Sequence, residues 1–330
     1  MVTMVQALNR ALGDAMRADP SVVVFGEDVG TLGGVFRVTD GLTKEFGPDR
    51  CFDTPLAESG IVGVAVGMAM QGLRPVVEMQ FDAFAYPAFE QVASHVAKLR
   101  NRTRGAVQTP IVIRVPYGGG IGGVEHHSDS SEGLYAQVPG LKVSTPATVS
   151  DAYVLLREAI ADPDPVVFFE PKRLYWSTAE IDLPASAPGS GRAEIRRPGS
   201  DVTLMTYGPS VPLALEAADA ATAELGLDVE VLDLRTLVPL DEASIIDSIS
   251  RTGRGVVVTE APSFAGPAAE IAALAHEHCF YSLAAPIRRV TGLDIPYPPP
   301  AYEHHYLPSV ERILDTLLDL EWEEPFTRAA

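Results

Sequence analysis

Along almost the whole chain, short runs rich in Val, Ile and Phe alternate with segments that carry a helical pattern. "SVVVFG", "RPVVEMQ", "TPIVIRVP", "LKVSTP" and "PDPVVFFE" are mostly apolar without a period of two, as strands buried on both faces are. Between them "ESGIVGVAVGMAMQG", "AYPAFEQVASHVAKLRN" and "TVSDAYVLLREAIAD" read as helices. Buried strands joined by helices specify a parallel sheet with helices on both faces. "DLPASAPGSGRAEIRRPGS", rich in Pro, Gly and Ser, breaks the pattern and reads as a linker or surface hairpin. Alternation then resumes from "DVTLMTYG" to "PIRRVT". The expected fold is α/β with two domains, each a mainly parallel sheet flanked by helices: residues 1–185, a linker over 186–200, and residues 201–330.

Composition narrows the functional classes. Of the 330 residues 46% are apolar and 21% charged, an ordinary globular balance, and the net charge is −19. So acidic a chain is not expected to bind nucleic acid, which needs clustered Lys and Arg. The one basic cluster, "AKLRNRTRG", reads as a solvated helix end. Two distant cysteines, Cys51 and Cys279, make no disulfide framework and fit a reducing compartment. The longest apolar run, "IVGVAVGMAM", is about half of the roughly 20 residues a bilayer span needs, so no membrane segment is expected. The opening "MVTMVQALNRALGDAMRAD" is amphipathic and contains Asp14 and Asp19, unlike a signal or transit peptide, and the expected location is cytoplasmic.

Three stretches carry chemical signals. In "YGGGIGGVEHHSDSSEG", Gly118, Gly120 and Gly123 meet the G-x-G-x-x-G spacing after a strand. A dinucleotide site also needs a helix opening at the third glycine, and "VEHHSDSSEG" is poor helix material. The glycines read instead as a flexible loop whose backbone lies close to a ligand or partner. Neither the adjacent His126 and His127 nor "HEHC" at 276–279 has the spacing of a zinc site. In "DTPLAESGIVGVAVGMAMQG", Glu58 opens an apolar helix whose Gly60, Gly63, Ala65, Gly67 and Ala69 let another helix come close. That contact reads either as an intradomain helix pair or as self-association.

Taken in order, "VVVFGEDVGTLGGVFRVTDGL", "FDTPLAESGIVGVAVGMAMQGLRPVVEMQFDAF", "EHHSDSSEG", "PVVFFEPKRLYW", "LDLRTLVPLD" and "PYPPPAYEHHYLP" span nearly the whole chain. In these stretches the chain resembles the β subunit of the thiamine-diphosphate-dependent decarboxylase component of 2-oxo acid dehydrogenase complexes. The resemblance implies a pyrimidine-binding domain followed by a transketolase C-terminal-like domain, assembled as an α₂β₂ heterotetramer with an α subunit and a second β subunit. It implies that the α chain holds the diphosphate and Mg²⁺, in keeping with the lack of a G-D-G motif here.

By the same resemblance Glu58 is the carboxyl group that faces a pyrimidine ring nitrogen, sharing a proton so that the cofactor activates its own thiazolium carbon. A helix N-terminus favours the charged carboxylate, whereas giving a proton to the ring asks for the neutral acid. Leu56, Gln80 and Phe84 fall where the family lines the ring, and His127 falls at the active-site histidine, serving as acid or base while the acyl group passes to lipoamide. His126 competes for that place, but "HSDS" matches through His127. Many relatives carry a histidine where this chain has Gln137, so no role transfers there. Some relatives hold a structural K⁺, which would fall at Asp162 and Asp164 with Ala159, Thr109, Ile111 and Val112 as backbone donors; otherwise "ADPDP" is a plain helix-ending turn.

"GGVFRVT" and Gln80 resemble branched-chain enzymes, with a pyruvate enzyme as the alternative. The expected activity is decarboxylation of a 2-oxo acid and reductive acylation of the lipoyl domain of an acyltransferase. A scaffold paralogue would keep the fold and lose the chemistry. The acidic "DLEWEE", with Glu321, Glu323 and Glu324, is the expected docking point for the acyltransferase.

Overall fold

The computed structural model describes residues 1–320, so Glu321, Glu323 and Glu324 lie outside the described residues. Seven strands form one sheet in the order Thr236–Val238, Lys142–Ser144, Val166–Pro171, Val112–Tyr117, Arg74–Glu78, Val22–Gly26 and Cys51–Asp53. All neighbours run parallel except Thr236–Val238, which is antiparallel to Lys142–Ser144. Alternate residues of the central strands feed two cores. Val22, Val24, Val112 and Phe168 pack under the helices Met4–Ala18 and Val149–Ala161. Val23, Phe25, Ile113 and Phe169 share a core with Ile61, Val62, Ala65 and Val92 on the opposite face. Local signals set the helix starts: Thr3 and Gln6 form a capping box, and the Thr148 hydroxyl accepts the Asp151 N–H.

The second sheet has the order Arg288–Gly292, Gly255–Pro262, Val202–Thr206, Val229–Asp233 and Glu194–Arg197. Glu194–Arg197 lies within the stretch read as a linker; it pairs antiparallel with Val229–Asp233 and closes the edge of this sheet. Arg196 and Arg197 drive that placement. Arg196 reaches Asp233 and the fully buried Asp151 of the first domain, while Arg197 bonds the Val229 carbonyl. Thr236–Val238 makes the reverse trade, since it follows a strand of the second sheet yet completes the first. Beside it, the wholly buried Arg235 holds Asp151 at 2.7 Å.

The segment expected as one helix over 85–101 is broken into a 3₁₀ turn Ala83–Ala88, a short α turn, a π turn Val92–Val96 and a last α turn Leu99–Arg102. Pro87 stands inside the first turn, where it has no N–H to extend a regular ladder. The helix Glu58–Met70 pairs inside its domain with the segment 83–96, through Ile61, Val62, Ala65 and Ala69 and with Gly63 beside Gln91, while its Gly60 and Gly67 face stays open. A Cβ on Gly67 would meet nothing within 4 Å, and one on Gly60 would meet only Ala57 of its own helix start.

At the centre of the first sheet Arg114 is fully buried, with Nη1 2.5 Å from Glu78 and Nε 2.6 Å from Glu170. Glu78 and Glu170 belong to the two flanking strands, so the guanidinium bridges three strands. Arg114→Met leaves two carboxylates facing each other without a cation in a dry interior. The expected loss is about 3–5 kcal/mol, seen as a lower urea midpoint of unfolding; an unchanged midpoint would show that the pair is not holding the strands.

Candidate cofactor and acid–base site at the carboxyl edge of the first sheet

In an open parallel sheet the loops beyond the carboxyl ends of the strands converge on one edge. Here that edge receives Glu27 and Asp28 after Val22–Gly26, Leu56 and Glu58 after Cys51–Asp53, and Gln80 to Phe84 after Arg74–Glu78. It also receives the glycine loop with His127 after Val112–Tyr117, and Lys172 after Val166–Pro171.

One half of the edge is acidic. Glu58 is the first residue of the helix Glu58–Met70 and is partly exposed. Behind it Glu27 is only 4% exposed, and neither of its carboxyl oxygens has a hydrogen-bonding partner among the described residues. Burial, then repulsion from Glu58 and Asp28, pushes Glu27 up to about 7. Gln80 donates to Asp28 at 2.9 Å, which ties the predicted ring-lining amide to this acidic group. Leu56 is 78% exposed, so this chain does not itself pack it against the other site residues.

The other half is aromatic. The His127 ring meets Phe81 edge to face at 4.2 Å and Phe84 at 5.2 Å, and Phe81 meets Phe84 at 5.6 Å. Phe84 and His127 are therefore brought together as expected, and Phe81 is a third member. The Nδ1 of His127 is buried without a partner. Burial, with smaller effects of His126 and Lys172, holds the imidazole below its ordinary value, which favours the neutral ring. His126 is exposed and stands 3.6 Å from Glu125.

The glycine loop is clamped rather than loose. Gly119 N–H donates to Glu260 at 3.0 Å, and Gly120 and Gly122 donate to the two oxygens of Glu303 at 2.5 and 3.2 Å. Glu260 and Glu303 belong to the second domain, so the ligand-like partner of the loop is the chain's own carboxylates. Gly118 and Gly120 have φ of +82°, and a Cβ on Gly119 would stand 2.1 Å from the Tyr297 hydroxyl oxygen. No regular helix follows the loop; a 3₁₀ turn Glu125–His127 does, which accounts for the failed dinucleotide pattern.

The residues matched to a K⁺ site lie at the opposite, amino-terminal edge. Lys142 Nζ stands 2.6 Å from Asp162 and 3.8 Å from Asp164, and Arg100 pairs with Asp164. The Ile111 carbonyl accepts the Val166 N–H, Thr109 donates to the Val96 carbonyl, and the Ala159 carbonyl accepts the Asp162 N–H; Val112 opens its strand. Two carboxylates and two side-chain cations thus meet at this turn. Cys51 and Cys279 are free and buried. No helix of the described residues is long and apolar enough to cross a membrane.

Residues missed in the sequence are Glu27, Phe81, Asp82 and Lys172. Each is a charged or aromatic residue just past the end of an apolar strand run, a position that points to this edge in a parallel sheet but does not show which of them the fold buries.

Residues 1–177 match the family described as transketolase, pyrimidine binding domain, and residues 191–313 match transketolase, C-terminal domain. A solved structure described as a split gene transketolase, inactive β4 tetramer, superposes with a TM-score of 0.79 over 96% of this chain and 97% of the other, at 23% identity. The fold is thus a transketolase-type pyrimidine-binding domain followed by a transketolase-type C-terminal domain. The 3-methyl-2-oxobutanoate dehydrogenase subunit beta of Mycobacterium tuberculosis is 55% identical over 95% of this chain and 90% of its own length. The pyruvate dehydrogenase E1 component subunit beta of Leifsonia xyli is 50% identical over 95% and 93%, and the 2-oxoisovalerate dehydrogenase subunit beta of Pseudomonas aeruginosa is 46% identical over 94% and 93%. The chain belongs to the β subunits of the 2-oxo acid dehydrogenases.

The Glu27 carboxyl gives this site a signature in stability. Its value near 7 in the fold exceeds the ordinary 4.5, so the folded state holds the proton more tightly than the unfolded chain. Stability is therefore lost as pH rises from about 4.5 to about 7. Glu27→Gln removes this loss. The drop in melting temperature between pH 5 and 7.5 should shrink in the variant; the same drop in both proteins would show that Glu27 is ionised throughout.

Proposed function

We propose that this chain is the β subunit of a branched-chain 2-oxo acid dehydrogenase, working with an α chain and a second β chain. Together they decarboxylate a 2-oxo acid on thiamine diphosphate and acylate the lipoyl domain of an acyltransferase. The observation that carries the reading is the juxtaposition, on one sheet edge, of Glu58 backed by the buried, unpaired Glu27 with the Phe84–His127 pair. Unpaired buried polar atoms of this kind await a partner, and an aminopyrimidine ring offers both hydrogen-bonding nitrogens and flat apolar faces. The residues present fit that group.

Glu58, Gln80 and Phe84 would hold the pyrimidine end, with Leu56 completing the wall once a further chain covers it. Bound there, thiamine diphosphate supplies the nucleophilic carbon and the sink for the electrons left by carbon dioxide. Glu58 would present its carboxyl group to the ring edge and share a proton with the ring nitrogen there. Glu27, neutral below about pH 7, keeps that carboxyl from facing a second full negative charge. His127, held neutral, accepts or returns a proton during acyl transfer. This reading leaves the diphosphate and Mg²⁺ to the α chain. The open face at Gly60, Val64 and Gly67, with Val64 52% exposed, suits the second β chain. For the substrate, the higher identity to the 3-methyl-2-oxobutanoate enzyme supports a branched acid, and pyruvate is the alternative.

The test is the assembled protein with its α chain, thiamine diphosphate and Mg²⁺. Faster decarboxylation of 3-methyl-2-oxobutanoate than of pyruvate is expected, and the reverse order would reassign the substrate. Glu58→Ala should lower the rate on the order of 10²-fold or more. An undiminished rate would falsify the assignment of Glu58.

A further inference from the structure

Behind the aromatic half of the site lies a buried cation that the mechanism above does not use. Lys172 opens the 3₁₀ turn Lys172–Leu174 and is only 2% exposed, with no hydrogen-bonding partner for its Nζ among the described residues. The ammonium lies 5.9 Å from the centre of the Phe81 ring, and that ring is the one 4.2 Å from His127. Its nearest anionic groups are Asp82 and Asp129. Both are already engaged: Asp82 accepts the N–H and hydroxyl of Ser131 at 2.9 and 2.6 Å, and Asp129 accepts the Tyr86 hydroxyl at 3.0 Å. A lysine kept in such a place solely for packing would be replaced with gain by an apolar chain of the same length, because an unpaired buried ammonium is costly.

We propose that Lys172, with Asp82, is a positioning pair for His127: set behind the Phe81 ring on which the imidazole packs, it adds to burial in keeping a second positive charge off that imidazole, so that His127 meets the acyl-transfer step as a proton acceptor. The inference rests on the reading of His127 as the acid–base residue. Groups facing this cluster from every element packed on it enter the balance. They are Asp82 and Tyr86 from the segment after Arg74–Glu78, Glu125, His126 and Asp129 from the segment after the glycine loop, and Glu132 from the turn beyond. Burial pushes Lys172 down to about 7 and Asp82 up to about 7. The two Ser131 donors favour the Asp82 carboxylate, which in turn favours the ammonium against the cost of burial. A positive charge on the far side of the Phe81 ring disfavours a second one on His127, in addition to the larger effect of burial.

The experiment uses the holoenzyme with its α chain, thiamine diphosphate, Mg²⁺ and a lipoyl domain, and follows lipoyl acylation from pH 5.5 to 8.5. Lys172→Met should raise the pH at which His127 gains a proton. The ratio of rates at pH 8 and pH 6 should then grow at least threefold over the unmodified enzyme. Lys172→Gln, a polar neutral replacement, should do the same if the Met variant does not assemble. Lys172→Arg keeps the charge and should keep the profile. A profile that stays put in both neutral variants, or an equal loss at every pH, overturns the proposal. His127→Ala separates the two layers. If it acylates at the normal rate, the reading of His127 itself fails; if it is inactive while the neutral variants keep the original profile, only the role of Lys172 fails.

Discussion

The wholly buried ion cluster of Arg114, Glu78 and Glu170 is the constraint on which the site depends. Apolar strands can slide past one another at modest cost, since one methyl group replaces another. Buried charges cannot, because any shift strands a charge without its partner. Arg114 thus locks three adjacent strands in register, and the same three deliver the Gln80–Phe84 segment, the glycine loop and Lys172 to one edge. The lock continues outward through Tyr175, whose hydroxyl donates to Glu170 at 2.7 Å. Its ring packs on Phe36 at 4.8 Å, Phe36 meets Phe81 at 5.6 Å, and Phe81 meets His127. A chain of contacts joins the core charge to the imidazole.

The second domain fixes the same edge from the other side. Its carboxylates Glu260 and Glu303 take the N–H groups of the glycine loop, and Arg173, next to Lys172 in sequence, pairs with Glu260. Deeper in, Tyr207 donates to Glu132 at 2.9 Å and accepts from Thr259 at 2.6 Å, with all three groups buried. The exchange of edge elements has the same effect, since Thr236–Val238 and the Arg235–Asp151 pair make the first sheet depend on the second domain. The loop that looked flexible is held where a side chain on Gly119 would have no room. That rigidity is what places His127.

Much of this was legible in the sequence. Runs of five or six mostly apolar residues, such as Val22–Gly26 and Val112–Tyr117 with its single Arg114, read as central strands of a covered sheet, and their helices follow from standard spacing and caps. Glu58, Phe84 and His127 were legible through resemblance, since a carboxylate at a helix start or a phenylalanine after a strand is unremarkable alone. What was not legible were partnerships across the chain. "RAEIRRP" has the composition of a linker, and only Asp151 and Asp233, distant in sequence, make it a strand edge. Glu27 and Lys172 look like ordinary surface charges until the fold buries them, because desolvation is a property of the assembled neighbours. At the Asp162–Asp164 turn the same holds, since the spacing of the two acids does not show that Lys142 stands beside them.

The electrostatics of the edge complete the argument. Glu27, Asp28 and Glu58 gather there, while the two nearby buried cations are committed elsewhere: Arg114 within its ion cluster, and Lys172 behind the aromatic rings. Burial, and then this excess of acid, pushes the Glu27 carboxyl group up to about 7. An edge so arranged favours a partner that brings hydrogen-bond donors and no negative charge, and a flat face for Phe84. The diphosphate end of a cofactor would be repelled from it. On the proposed reading this acidic edge suits the uncharged ring of the cofactor, and a site for the anionic end is better supplied by a surface of the opposite charge.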